Sequence, residues 1–265
     1  MMSMLSIFET IALDAGRTIL EIRGRGAHTH YKPDYSPVTE ADEAAEAIIL
    51  EALAQHWPAI PAVAEEAVAA GQIPDISGGR FFLIDPLDGT REFINGRDDF
   101  TVNIALIENA LPTVGIVYAP ALNVGYGGAQ NKASKLAIAP DFTIENRQAI
   151  RARVMPRRPI ACASRSHRTV ETDDFLAQYG DLETLSVGSS LKFGLLAEGA
   201  ADIYPRFGRT MEWDTAAGDA VLRAAGGKTC AIDGQPLRYG KVGRSDETDF
   251  ANGDFIATGA SVEVL

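Results

Sequence analysis

The chain has 265 residues, 46% hydrophobic and 23% charged, which is ordinary for a globular protein and enough for one large α/β domain or two intimate subdomains. Its 36 acidic against 24 basic residues give a formal charge of −12, which argues against extended nucleic acid as a partner but not against a small phosphorylated ligand. No apolar run approaches the roughly 18 residues of a membrane span, no basic-then-apolar leader opens the chain, and Cys162 and Cys230 lack metal-ligand spacing, so a reducing cytoplasmic setting is expected. Peripheral association at an inner membrane stays open, as does oligomeric state.

In chain order, Ile7, Phe8, Ile11, Ala15, Ile19 and Ile22 recur at intervals of three and four, which predicts a helix ended by Gly24 and Gly26. A polar loop over 28–37 follows. Thr39-Glu40-Ala41-Asp42 opens a second helix, with Ala45, Ile48, Ile49, Ala52 and Leu53 as its apolar face and Pro58 and Pro61 closing it. Phe81-Phe82-Leu83-Ile84 reads as a buried strand ending at Asp85. Residues 101–107 and 113–117 read as two strands joined by a turn over 108–112. The Arg- and Pro-rich segment 141–159 is the expected connection between a first subdomain, 1–150, and a second, 151–265. Within the second, strands near 160–163, 184–187 and 201–204 alternate with helices near 172–179 and 191–198, and a last helix over 215–225 ends at Gly226-Gly227.

The hexapeptide Asp85-Pro86-Leu87-Asp88-Gly89-Thr90 carries the most chemistry. Pro86 removes a backbone donor and Gly89 permits a sharp reversal, so the chain turns where two carboxylates appear. Carboxylates three residues apart at a strand mouth repel unless a cation lies between them, and oxygen-only donors suit a hard ion such as magnesium. Three further acidic clusters have respectable local explanations. Thr39 to Asp42 has the spacing of a capping box, Glu65-Glu66 could close a strand or be a solvated pair, and Asp214 could merely cap the last helix. Four carboxylate-bearing element ends together suggest a multi-metal site of the kind that clamps attacking and leaving oxygens in phosphoryl transfer.

The ordered set Ser36-Pro37-Val38-Thr39-Glu40-Ala41-Asp42, Glu65-Glu66, Asp85 to Thr90, and Trp213-Asp214-Thr215-Ala216-Ala217-Gly218 resembles the inositol monophosphatase family over nearly the whole chain. The resemblance implies a layered α-β-α-β-α sandwich (α/β, or α+β) of the inositol monophosphatase/fructose bisphosphatase type, with the active site between two subdomains. It implies a lithium-sensitive, magnesium-dependent phosphatase using two or three ions. Glu66, Asp85, Asp88, Asp214 and the Leu87 carbonyl would be the metal ligands, with Glu65 helping from behind. Asp42 and Thr90, with Glu66, would be catalytic: the aspartate polarises the hydroxyl, and the hydroxyl orients the attacking water for in-line displacement.

Gly89-Thr90-Arg91-Glu92-Phe93-Ile94, Ser164-Arg165-Ser166-His167, Gly188-Ser189-Ser190-Leu191-Lys192-Phe193 and Tyr204-Pro205-Arg206 narrow the resemblance to the branch of the family that removes the 3′-phosphate of adenosine 3′,5′-bisphosphate, a step in sulfur metabolism. Arg91 stands where lysine is expected, and Ala64 where glycine or serine is commoner; neither changes the chemistry. Inositol-selective relatives tend to carry a glutamate where this chain has Arg206, and a forked cation there favours a second phosphate over a polyol. The substrate contacts implied are Gly89, Thr90, His167, Ser189, Lys192, Tyr204, Arg206 and Asp214. Taken alone, Lys192 would more often be a solvated helix face and Tyr204 core. The alternatives are an inositol or sugar phosphatase of the same family and, more remotely, a non-catalytic phosphate-binding regulator.

Overall fold

The computed structural model describes residues 2–32, 37–164 and 169–260. Helix α1 (Met4–Arg25) begins at Ser3, whose side chain accepts from the Ser6 amide, and ends at Gly26, where φ is 84°. Phe8, Ile11, Ala15, Ile19 and Ile22 are buried, as their spacing requires. Part of the expected polar loop is strand: β1 (Thr29–Tyr31) pairs antiparallel with β2 (Pro37–Thr39). Three-residue strands are too short for alternation to register in sequence. Helix α2 (Glu40–His56) starts on a capping box. After β3 (Ala62–Ala64), Glu65 opens a short helix, α3 (Glu65–Ala69), and does not close the strand.

Strand β4 (Arg80–Asp88) outlasts its apolar run, continuing through Pro86 with a register shift between Asp85 and Asp88. After α4 (Thr90–Ile94) come β5 (Thr101–Glu108) and β6 (Leu111–Ala119), joined through Asn109 and Ala110, both at positive φ. That two-residue reversal is tighter than the turn expected over 108–112. Strands β7 (Val124–Ala129), β8 (Lys132–Ile138) and β9 (Ile144–Ile150) complete a seven-stranded sheet in the order β3-β4-β5-β6-β7-β8-β9. β9 therefore takes up much of the expected connection at 141–159. It is an exposed edge strand, and its polar composition imitates a linker.

The second sheet comes from β10 (Ile160–Ser164), β11 (Glu183–Val187), β12 (Ile203–Arg206), β14 (Lys228–Ala231) and β16 (Phe255–Thr258), in the order β11-β10-β12-β16-β14. Helices α5 (Val170–Ala177), α6 (Leu191–Ala197) and α7 (Glu212–Ala224) are interleaved, and β13 (Thr210–Met211) pairs with β15 (Ala251–Asn252) at the head of α7.

Alternation along β4 explains the layering. Phe82 and Ile84 join the core beneath α1 and α2 with Phe8, Ile19 and Ile49, whereas Phe81 and Leu83 join Phe193, Tyr204, Val221 and Phe255 on the opposite face. A strand buried on both faces reads as a continuous apolar run. Leu176 of α5 packs on Ala161 and Ile203 on the far side of the second sheet. The result is the α-β-α-β-α sandwich. Helix α7 lies unusually close to the first sheet: a Cβ on Gly115 would fall 2.5 Å from the Ala217 oxygen, and one on Gly128 would fall 2.6 Å from Val221 Cα. This close approach carries the first turn of α7 toward the end of β4.

Candidate active site

The acidic residues sit where elements end, and Asp85, Asp214 and Asp42 each have one oxygen tied to their own neighbourhood. Asp85 Oδ1 accepts from the Leu87 amide at 3.0 Å, an Asx turn that folds the chain after Pro86. Asp214, third in α7, accepts from the Met211 amide at 2.8 Å. Asp42, third in α2, accepts with Oδ2 from the Thr39 amide at 2.7 Å and the Thr39 hydroxyl at 2.6 Å. The capping-box explanation thus holds for one oxygen of Asp42, whereas Asp214 is the third residue of α7 and not its N-cap, which is Met211, and Asp85 is held by its turn. For Asp42 it does not exhaust the group. Asp42 Oδ1 receives the Thr90 hydroxyl at 3.2 Å, and that hydroxyl lies equally close to the Leu87 carbonyl. Thr90 reaches this point because Gly89, at φ 95°, turns β4 straight into α4; a Cβ there would be strained and would press on Asp99 and Phe100 at 3.3 Å.

A cavity of about 310 Å³ lies against these ends. Glu65, Asp85, Leu87, Asp88, Gly89, Thr90 and Asp214 line it, and so do Ser189, Lys192, Tyr204 and Arg206. Asp42 and Glu66 are not among its lining residues. Glu66 and Glu65 share Lys32, whose Nζ stands 2.8 Å from the one carboxylate and 2.7 Å from the other. Glu46 accepts from the Glu66 and Ala67 amides at 2.8 Å each and so fixes the head of α3. His167, with Arg165 and Ser166 of the same motif and Ser36 of the first, lies outside the described residues.

Burial is the main electrostatic force here. It pushes Asp85 and Asp214 well above the usual carboxylate range and Asp88 upward, and repulsion adds to it: Glu65 and Asp88 act on Asp85, and Asp88 and Glu65 on Asp214. Lys192 opposes the rise at Asp88. Burial raises Asp42 to about 6 against its Thr39 bonds, and burial with Glu65 raises Glu66 to about 7. Burial disfavours the Lys32 charge, but Glu65 and Glu66 outweigh it and the amine is held above its ordinary range. Clustered hard oxygens that penalise one another's ionisation fit a divalent cation such as magnesium in kind. The set is open: among the described residues, no three Asp, Glu, His or Cys side chains stand close enough to cage an ion.

The basic residues are buried too. Lys192 is only 3% exposed, which removes the solvated-face explanation. Its Nζ donates to the Ser189 carbonyl and, at 3.3 Å, to the Val187 carbonyl, and lies 5.1 Å from the Tyr204 ring centre. Burial lowers its pKa while Asp88 works against that. Tyr204 is both core and wall, packed edge-on to Phe193 and Phe255. Arg206 donates to the Arg209 carbonyl at 3.3 Å. Ser189 holds φ 47°, an uncommon backbone for serine at a cavity wall.

Sequence reasoning missed Lys32, Glu46 and Asn103, and it gave no role to Ser190, which it quoted only as part of the 188–193 motif. Glu46 was recoverable, since it lies one helical turn beyond Asp42 on the same face. Lys32 sits in a stretch with no periodicity, and nothing local marks Asn103, between Val102 and Ile104 of β5.

Fold and site together define a phosphatase-type cavity lined by acidic and basic residues. The chain matches the inositol monophosphatase family over residues 1–261 and belongs to that family, whose enzymes are generally metal-dependent, typically with magnesium. It is 43% identical over 231 residues to the 3′(2′),5′-bisphosphate nucleotidase CysQ of Escherichia coli O157:H7 and 45% identical to that of Salmonella typhimurium, covering 86% of this chain and 91% of each relative. Among solved structures it is similar to CysQ from Bacteroides thetaiotaomicron, described as a bacterial member of the family (TM-score 0.75, 37% identity, 94% of each chain). The inositol monophosphatase from Anabaena superposes with a TM-score of 0.74 at 27% identity, covering 97% of this chain and 91% of that one.

Proposed function

We propose that this chain is a magnesium-dependent 3′(2′),5′-bisphosphate nucleotidase that removes the 3′-phosphate of adenosine 3′,5′-bisphosphate. One observation carries the reading: the buried Asp85, the partly buried Asp88 and Asp214, and two buried cations, Lys192 and Arg206, share a single cavity. A monophosphate sugar needs only the acidic residues and their metal. A second phosphate needs cations of its own, and Arg206 offers a guanidinium fork suited to it.

Glu66, Asp85, Asp88, Asp214 and the Leu87 carbonyl are the donors proposed for two or three magnesium ions. Bound there, magnesium would supply Lewis acidity and positive charge for an in-line displacement at phosphorus. Asp42, by accepting the Thr90 proton, leaves the lone pairs of that hydroxyl to take a hydrogen bond from the attacking water and aim it. Gly89 keeps the backbone clear for the phosphoryl group, and Ser189 and Lys192 face the nucleotide with Tyr204 behind them. His167 is proposed as a further phosphate contact. Among the described residues no helix is long and apolar enough to cross a membrane.

Parallel assays of phosphate release from adenosine 3′,5′-bisphosphate and inositol 1-phosphate test the reading. The expected result is a kcat/KM strongly favouring the nucleotide, abolished by EDTA and restored by magnesium. A preference for the inositol ester would overturn the substrate assignment, and full activity in EDTA would overturn the metal.

A further inference from the structure

Ser190 occupies the N-cap position of α6, where a serine hydroxyl ordinarily accepts from an amide of its own helix; here no such bond forms. The hydroxyl points elsewhere, 2.7 Å from Asp88 Oδ2 and 2.5 Å from the Asp214 carbonyl oxygen. From a third direction Asn103 Nδ2, in the middle of β5, donates to Ser190 Oγ at 3.0 Å. Both side chains are almost wholly buried. A hydroxyl has one proton and two lone pairs. The amide of Asn103 occupies a lone pair, which turns the proton toward the two remaining neighbours, both acceptors. Asn103 Oδ1 is buried with no hydrogen-bond partner among the described residues, so the carboxamide is not serving its own satisfaction. The side-chain bond it does make is the one that orients Ser190.

We propose that Asn103 and Ser190 form a positioning relay that fixes the Asp88 carboxylate against the first turn of α7, so that Asp88 and Asp214 present to a divalent cation as one unit. The relay joins four elements: β5, the cap of α6, the end of β4 and α7. It rests on the reading of Asp88 as a metal ligand. Partners of this kind set the angle of a ligand without touching the ion, and their loss typically costs 10–100-fold in metal affinity or activity.

The test is a Mn²⁺ titration of metal-free protein, followed by the electron paramagnetic resonance signal of the free ion, which needs no turnover. Ser190→Ala is expected to weaken Mn²⁺ binding by roughly 10- to 100-fold, with KM for the nucleotide unchanged at saturating magnesium. Asn103→Asp, nearly identical in shape, replaces the donating amide with an acceptor that draws the Ser190 proton away from Asp88, and is expected to weaken Mn²⁺ binding as well. It decides the matter if Ser190→Ala does not fold. Parent-like Mn²⁺ affinity in a folded form of either variant overturns the relay. Asp88→Asn separates the two levels: weak binding there beside parent-like binding in the relay variants sinks the relay alone, and unchanged binding in Asp88→Asn sinks the metal reading beneath it.

Discussion

The acidic residues in and beside the cavity fall into two groups that are held in opposite ways. Asp85 and Asp214 are tied to backbone amides within their own turns, and Asp88 to a buried serine. Glu65 and Glu66 are held by side chains, with Lys32 between the carboxylates and Glu46 beneath the head of α3. The aspartates are therefore set by the fold itself, through a helix pressed onto glycines and a strand that turns at Pro86 and Gly89. The glutamate pair is set by a balance of charges, and a divalent cation approaching Glu66 meets an ammonium already in place. Substitutions in the first group should damage chemistry with the fold intact; changes around the second should alter the pH and metal response.

Asp214→Asn gives the largest expected effect. The asparagine oxygen still accepts from Met211, so the cap of α7 survives, while the negative charge is gone. A loss on the order of 10³-fold in kcat/KM is expected, as for removal of one preorganised electrostatic group, with a melting temperature close to the parent's. Collapse of the melting temperature would show that the cap dominates. Thr90→Ala comes next. With the hydroxyl gone, Asp42 has nothing to aim, and kcat should fall about 10²-fold, the lower range for a positioned proton-transfer group. Metal affinity, measured by calorimetry, should barely move; loss of metal binding would contradict the division between Thr90 and the aspartates. Arg206→Ala should raise KM for the bisphosphate about 10-fold or more, the value of one charge-assisted bond. It should leave hydrolysis of a monophosphate ester nearly untouched, and equal damage to both substrates would remove Arg206 from specificity.

Much of the fixed part was legible in sequence because its signals are local. A hydrophobic run, a proline, a glycine and two aspartates within ten residues define the end of β4, and the capping spacing of Asp42 and Asp214 marks helix starts. The five-layer sandwich was implied only by the family resemblance that the ordered motifs carry. What escaped was long-range or compositionally plain. β9 looked like a linker because an edge strand with solvent on its face has no reason to be apolar. The extent of β4 past Asp85 was hidden by Pro86, which ordinarily ends pairing. Lys32 reaches residues 33 and 34 positions away, and Asn103 reaches Ser190 across 87, distances at which single-sequence spacing carries no information. Burial was the other blind spot: Lys192 reads as surface and is enclosed.

The smallest expected effect is a pH response, and it belongs to the glutamate side. Burial raises Asp42 from its ordinary 3.8 to about 6 and Glu66 from 4.5 to about 7, with Glu65 adding to both. A carboxyl whose pKa is higher in the folded than in the unfolded chain stabilises the fold fully below the unfolded value, and that contribution is lost as pH rises through the folded one. Metal-free protein should therefore lose these contributions to stability between about pH 4 and pH 7. Magnesium requires the ionised forms, so its stabilising shift in melting temperature should grow over the same interval. Lys32 is the counterweight that keeps Glu66 from rising further. In Lys32→Met the magnesium-dependent shift should appear at higher pH than in the parent, because Glu66 then gives up its proton later. An unmoved pH midpoint would mean that the fixed aspartates alone govern metal uptake, and that the lysine between the two glutamates is a structural bond only.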